Sequence, residues 1–126
     1  MKLEHVAFNV SDPAAMAAWY CQHCGFRIVH APPGPARAHF IADDAGMILE
    51  IYNNPPEQVP DYRNMHPLIV HIAFDSPDPD ADAARLCAAG CQLVEEIRPG
   101  DGTVILMLRD PWGLALQLCK RAKALD

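Results

Sequence analysis

Four side chains that can ligate a metal ion occupy matching places in two similar stretches of the sequence. His5 in "HVAF" corresponds to His71 in "HIAF", and Glu50 in "GMILEIY" corresponds to Gln117 in "GLALQLC". Two imidazoles, one carboxylate and one amide oxygen form a mixed nitrogen and oxygen donor set. Such a set suits one divalent cation, such as zinc, nickel, cobalt, iron or manganese.

The matching places belong to an internal repeat. Residues 3–21 and 69–87 are identical at nine of nineteen aligned positions. The intervening stretch contains "NPPEQVPDYRNMHP", whose prolines and polar residues are typical of a linker. We therefore divide the chain into a first module at 1–53, a linker at 54–66 and a second module at 67–126, which together form one domain.

Each module is predicted to fold as a strand, a helix and three further strands, which makes the class α+β. The first strand of each module is followed by Asp-Pro, at residues 12–13 and 78–79, an acidic helix N-cap with proline at the first helical position. Gly25 and Gly90 are expected to end the two helices. The first strands are predicted at 3–10 and 68–76, and the later strands at 26–31, 37–42, 47–53, 91–97, 103–109 and 114–120.

Side-chain alternation along the strands separates the candidate ligands from the expected core. Val6, Phe8 and Val10 share the face that would pack against the helix, whereas His5 lies on the opposite face. The other three candidate ligands take the corresponding face of their own strands. A lone histidine on an apolar face is more often a core residue than a ligand, and duplication copies any residue. Glu50 is harder to explain that way, because an unpaired buried carboxylate is costly.

Composition limits the partners and the location. The net charge is −6, and the basic residues cluster only in the short stretch "KRAK", which argues against nucleic acid and anionic membranes as partners. The chain has no membrane-length apolar run and no signal-peptide pattern, so we expect a cytoplasmic protein. The five cysteines are expected to be reduced, and "CQHC" at 21–24 is interpreted as structural rather than as a zinc or redox site.

The chain resembles the vicinal oxygen chelate superfamily, which includes glyoxalase I, extradiol dioxygenases, methylmalonyl-CoA epimerase, fosfomycin-resistance thiol transferases and bleomycin-binding proteins. The resemblance rests on "LEHVAFNVSDP", "MILEIYNN", "IVHIAFDSPDP" and "RDPWGLALQL". It implies a curved, eight-stranded open sheet around a metal ion, with the helices outside. The four ligand positions of the family then fall on His5, Glu50, His71 and Gln117.

The resemblance also implies an activity. It predicts a glyoxalase-like enzyme of the lyase or isomerase type, whose metal chelates vicinal oxygens of a small substrate while Glu50 acts as the base. Asn54 corresponds to a glutathione-contacting asparagine of glyoxalase I, and we expect Tyr52 and Met107 to line the substrate pocket. The chain departs from glyoxalase I at Gln117, where that enzyme has glutamate, and at Asn9, where it has arginine.

Two other functions stay open from the resemblance. One is an Fe(II) extradiol-type dioxygenase, since two histidines and one carboxylate can hold iron with open positions. The other is a non-catalytic protein that binds an antibiotic or another small molecule. Glyoxalase-like relatives also imply a homodimer in which each metal site is shared between two subunits.

Overall fold

The computed structural model describes all 126 residues and divides the chain into two compact units, Met1–Pro60 and Asp61–Asp126. The division falls inside the linker predicted at 54–66. Each unit has its own internal contacts, its own sheet and its own helix. No helix in the chain combines the length and the apolar composition that crossing a membrane requires.

Both units have the predicted order of elements, so the α+β class and the βαβββ repeat are confirmed. The first unit consists of β1 (Val6–Asn9), α1 (Pro13–His23), β2 (Arg27–His30), β3 (His39–Ala42) and β4 (Ile48–Tyr52), followed by a short 3₁₀ helix at Pro56–Gln58. The second unit consists of β5 (His71–Asp75), α2 (Pro79–Ala88), β6 (Gln92–Ile97), β7 (Val104–Arg109) and β8 (Ala115–Lys120). The first strand of each unit is shorter than predicted, and His5 lies just before β1.

The eight strands hydrogen-bond as two four-stranded open sheets of the same topology. The order is β1-β4-β3-β2 in the first sheet and β5-β8-β7-β6 in the second. The first and last strands of each unit, β1 with β4 and β5 with β8, run parallel, while the remaining neighbours are antiparallel. The first strand of each unit is therefore an edge strand, and the helix that follows it leads to the strand at the opposite edge of the sheet.

The two helices begin at matching caps. The carboxylate of Asp12 accepts a hydrogen bond from the Ala15 N–H at 3.2 Å, and that of Asp78 accepts one from the Ala81 N–H at 3.1 Å. A proline follows each cap, in the position where its missing N–H leaves no bond unmade. The predicted helix starts are thus confirmed.

The core of each unit lies between its helix and one face of its sheet. Phe8 and Val10 are buried in the first unit, together with Leu49 and Ile51 of β4. The prediction for Val6 is wrong, because its side chain is 38% exposed. Val6 is the first residue of a sheet-edge strand, where side chains have fewer neighbours than at the strand centre.

Candidate metal-binding site

The first unit brings two of the four predicted ligands together. His5 Nε2 lies 3.2 Å from Glu50 Oε2, with the two side chains 32% and 22% exposed. The parallel register of β1 and β4 pairs Ala7 with Glu50, so His5, two residues before Ala7, faces the same side of the sheet. The pair is therefore accessible to a small ligand and lies away from the helix-covered core.

A second carboxylate supports His5 from behind. Glu4 Oε2 forms a hydrogen bond with His5 Nδ1, the ring nitrogen that does not face Glu50. The bond to Glu4 raises the pKa of His5, and the charges of Glu4 and Glu50 act in the same direction. A proton held on Nδ1 by a carboxylate leaves Nε2 as the coordinating nitrogen, the arrangement that metal-ligating histidines usually have.

An aromatic ring forms one side of this pair. Phe40 of β3 lies directly opposite Glu50 in the antiparallel register. Its ring meets the His5 imidazole edge to face, with centroids 5.6 Å apart and an angle of 86° between the planes. This contact restricts rotation of the imidazole, so His5 is oriented by Glu4 on one side and by Phe40 on another.

The second unit places its two predicted ligands in the same register. Ala73 pairs with Gln117 across β5 and β8, and His71 lies two residues before Ala73 on the same face. The Gln117 Oε1 accepts a hydrogen bond from the Cys119 thiol at a donor–acceptor distance of 3.6 Å. His71 is exposed and has Val70 where the first unit has Glu4. The second unit thus offers an imidazole and an amide without a supporting carboxylate.

The geometry of the first pair fits a shared cation. Bonds of about 2.0–2.2 Å from nitrogen and oxygen to one divalent metal leave the two donor atoms roughly 3 Å apart. His5 Nε2 and Glu50 Oε2 already have this separation. No group of three or more His, Cys, Asp and Glu side chains in the chain is arranged to hold a metal ion. The structure therefore joins two donors, and the four-donor site stays a prediction.

The cysteines take no part in such a group. None of the five forms a disulfide, and Cys21 and Cys24 of "CQHC" are half-buried at the end of α1. Burial raises the pKa of the Cys21 thiol, which makes it less reactive than an exposed cysteine. These observations favour the structural interpretation of the motif.

The three predicted substrate-binding residues lie in different surroundings. Tyr52 is half-buried and shares the face of Glu50, whereas Met107 is 3% exposed and lies opposite Gln117 in the register of β7 and β8. Asn54 is exposed, and its backbone N–H donates to the Asn9 side-chain oxygen at 3.0 Å. Their roles in substrate binding stay predictions.

Sequence reasoning missed Glu4 as part of the site. Glu4 is next to His5 in the sequence, which was the available signal. The segment was predicted as a strand, however, and alternation along a strand would direct the two side chains to opposite faces. Because β1 begins only at Val6, Glu4 lies outside the strand, and its side chain is not directed to the opposite face. The two side chains can therefore meet.

Comparisons with known proteins agree with the fold. The sequence pattern of the Glyoxalase/Bleomycin resistance protein/Dioxygenase superfamily matches residues 2–118. A glyoxalase family protein from Enterococcus faecalis is 26% identical, with a TM-score of 0.69 over 94% of this chain and 97% of that one. No curated protein matches the chain.

Two more distant structures share the fold. TnmS3, an antibiotic binding protein from Streptomyces sp. CB03234, is 24% identical with a TM-score of 0.69, over 94% of this chain and 97% of its own. A glyoxalase family protein from Bacillus cereus is 16% identical with a TM-score of 0.76, over 94% and 93% of the two chains. The fold is therefore common to proteins described as glyoxalase-like and to one described as antibiotic-binding.

Proposed function

Because the chain belongs to the glyoxalase/bleomycin resistance protein/dioxygenase superfamily, we propose that it is a glyoxalase-like metalloenzyme of the lyase or isomerase type. Its substrate would be a small molecule with two neighbouring oxygen atoms. The observation that carries the proposal is the His5–Glu50 pair, with its donor atoms 3.2 Å apart and Glu4 hydrogen-bonded behind the imidazole.

The donors proposed for one divalent cation are His5, Glu50, His71 and Gln117. Zinc, nickel, cobalt, iron and manganese all accept this mixture of imidazole, carboxylate and amide oxygen. A bound cation would supply Lewis acidity, which stabilises negative charge that develops on a substrate oxygen. Support for a pair of half-sites comes from the register, which is the same in the two units.

Glu50 is the proposed general base. Among the four donors, only a carboxylate and an imidazole can accept a proton at neutral pH, since the Gln117 amide cannot. The Glu50 carboxylate is partly exposed, so a substrate carbon acid can approach it. One Glu50 oxygen lies 3.2 Å from His5 Nε2, and the second oxygen of the carboxylate is the one proposed to take a proton from the substrate and return it.

The direct test is Glu50→Gln. This change keeps the shape and one oxygen but removes the negative charge and the base. We expect loss of most bound metal, measured by plasma mass spectrometry, and loss of turnover of the hemithioacetal of methylglyoxal with glutathione. Glu57→Gln makes the same change at an exposed site on the 3₁₀ helix and should alter neither measurement. If Glu50→Gln keeps both metal and turnover, the assignment is wrong.

We also propose a homodimer in which each cation is held by His5 and Glu50 of one subunit and by His71 and Gln117 of the other. Support comes from the two-donor half-site in each unit and from the shared sites of glyoxalase-like relatives. Two inactive variants test it. One lacks the first pair (His5→Ala with Glu50→Ala), and the other lacks the second (His71→Ala with Gln117→Ala).

Mixing and refolding these variants distinguishes the arrangements. With shared sites, a mixed dimer regains one complete site, so metal content rises from near zero towards one ion per mixed dimer. With sites built inside one chain, no mixture regains metal. Each variant mixed only with itself is the control. Light scattering that shows a monomer with full metal occupancy would also contradict the dimer.

A second candidate is a protein that binds a small molecule without catalysis. It is favoured by the shared fold with TnmS3, which is described as an antibiotic binding protein. The two functions differ in their need for metal. A binding protein retains its ligand affinity after metal is removed with EDTA and in the Glu50→Gln variant, whereas the proposed enzyme loses its activity in both cases.

A further inference from the structure

The second unit contains a cavity of about 420 Å³ on the face of its sheet that carries Gln117. This volume is within the range of sites that enclose small organic ligands. The cavity lies beside the ends of β5 and β8 and under the segment that follows β8. Its lining residues are Ala73, Asp75, Cys119, Arg121, Ala124 and Leu125.

Three residues of this cavity differ from their counterparts in the first unit. Cys119 occupies the place that Tyr52 has in the first unit, so the larger phenol ring is absent here. Asp75 corresponds to Asn9, and the position of Arg121 corresponds to Asn54. In the first unit the corresponding asparagines are joined by a 3.0 Å hydrogen bond. The second unit thus replaces a filled, neutral, hydrogen-bonded corner with an open one.

The open corner carries one charge of each sign. Asp75 and Arg121 are both exposed at the cavity, and neither forms an ion pair within the chain. Between them, Cys119 is 6% exposed. Cys119 lines the same cavity as the two charged residues.

We propose that this cavity binds a zwitterionic small molecule of the amino-acid class. The ligand's ammonium group pairs with Asp75, its carboxylate pairs with Arg121, and its apolar part lies against Ala73 and Leu125. Ligands with only one charge are disfavoured, because they leave one protein charge unmatched and meet like charge at the other. Binding through these ion pairs and apolar contacts is non-covalent.

This inference goes beyond the proposed function and does not depend on it. Every residue that it uses belongs to the second unit, and neither a cation nor Glu50 takes part. The experiment is therefore done on the full chain after treatment with EDTA. A failure of amino-acid binding in this experiment would not bear on the metal-dependent activity, and a failure to bind metal would not contradict amino-acid binding.

The test is an NMR titration of the ¹⁵N-labelled protein with L-phenylalanine, L-leucine and L-methionine. Two analogues of phenylalanine serve as matched probes: 3-phenylpropanoate lacks the ammonium group, and phenethylamine lacks the carboxylate. We expect saturable shifts of the amides of Ala73, Asp75, Cys119 and Arg121 with at least one amino acid. We expect each analogue to bind at least about tenfold more weakly than phenylalanine, or than the best amino acid if phenylalanine does not bind.

Three variants localise the binding. Asp75→Asn and Arg121→Gln each remove one charge, and Cys119→Tyr fills the cavity with the residue found in the first unit. Each should weaken binding at least about tenfold. Asp80→Asn and Arg98→Gln make the same charge changes at a surface ion pair 2.5 Å long in the same unit, and should leave binding unchanged.

Several results would overturn the proposal. One is the absence of saturable shifts with all three amino acids, which would mean that Asp75 and Arg121 serve only the surface charge of the protein. Equal binding of a singly charged analogue would exclude recognition of a zwitterion. Unchanged binding in both charge-removal variants, or shifts confined to residues away from the cavity, would place the site elsewhere.

Discussion

The two units share a backbone plan but differ in the charges that surround their candidate ligands. In the first unit, His5 lies between two carboxylates, Glu4 and Glu50. In the second, His71 follows a valine, and its partner on the last strand is the neutral Gln117. The strand register is identical, so the difference arises from side chains alone. The shared strand register thus fixes where the donor side chains lie, while individual substitutions decide which unit carries charge.

A second contrast concerns the turn between the last two strands of each unit. Gly46 and Gly113 occupy equivalent turn positions, with φ of 89° and 92°. Open space surrounds Gly46, whereas a methyl group on Gly113 would lie 2.6 Å from the Arg63 Cα. Arg63 is held there by a 2.7 Å hydrogen bond from its guanidinium to the Pro111 carbonyl. Gly46 thus meets only the conformational requirement of a positive φ, whereas Gly113 meets that requirement and also leaves room for the backbone of Arg63.

The largest effect is expected from replacing Gly113. Gly113→Ala combines an unfavourable positive φ with a backbone collision, which together should lower the free energy of unfolding by about 2–5 kcal/mol. Gly46→Ala meets only the conformational cost, about 1–2 kcal/mol. Urea unfolding followed by circular dichroism measures both. Equal losses in the two variants would show that the segment at Arg63 does not pack against this turn.

The next effect concerns the carboxylate behind His5. Glu4→Gln should weaken metal binding by about 10–100-fold, because loss of a hydrogen-bonding partner behind a ligating histidine typically costs that much. Titration with a zinc-binding dye as competitor measures the affinity. Val70→Glu copies the first unit into the second and should tighten binding. An unchanged metal affinity in Glu4→Gln would mean that Glu4 contributes only to the surface charge of the protein.

The helix caps should show no difference between the units. Asp12→Ala and Asp78→Ala each remove a carboxylate that accepts a hydrogen bond from the third residue beyond it. Each should cost about 1 kcal/mol in unfolding free energy, the usual value for an N-cap. The comparison would fail if one variant lost more than twice as much as the other, measured by thermal unfolding.

The smallest effect is a pH-dependent one that only the second unit should show. The Ser76 hydroxyl donates to Asp82 at 2.6 Å, and this bond, with Arg85, holds the pKa of Asp82 below its usual range. Ionised Asp82 therefore stabilises the fold above its unfolded pKa of about 4, and the contribution is lost as pH falls through the lowered folded pKa. The corresponding residues of the first unit, Val10 and Met16, are buried and apolar.

Asp82→Asn tests this contribution. Because the Asp82 side chain is 32% exposed, solvent screening limits the loss to about 0.5–1 kcal/mol at pH 7. The difference from the unaltered protein should shrink as the pH falls below the unfolded pKa of about 4. Urea unfolding at pH 7 and pH 3 measures it. A loss that is equal at both pH values would exclude the charge of Asp82 as its cause.

Much of the fold could be predicted because the sequence states it twice. A pattern that is ambiguous once becomes clear when it recurs, as with Asp-Pro after each first strand and glycine after each helix. Alternation along β1 and β4 then placed His5 and Glu50 on one face, and the structure brings them within 3.2 Å. These features depend on local geometry and repetition, which a sequence records directly.

The features that could not be predicted depend on where strands begin and on how much space side chains leave between them. The contact between Glu4 and His5 requires β1 to begin at Val6, and strand ends are poorly marked in sequence. Val6 is exposed for the same reason, because it is the first residue of β1. The cavity beside Cys119 depends on the path of the chain after β8, which the repeat does not specify, since the first unit has the 3₁₀ helix there.

The alternation of side chains along the paired strands has a consequence for how the ligand set of this scaffold can change. Donors and interior residues alternate along one strand, so a lineage can exchange histidine, glutamate, glutamine or cysteine on one side without disturbing hydrophobic contacts on the other. The two units already differ in this way, with Glu50 in one and Gln117 in the other. A change on the donor face can therefore alter what a unit binds while the hydrophobic face continues to support the fold.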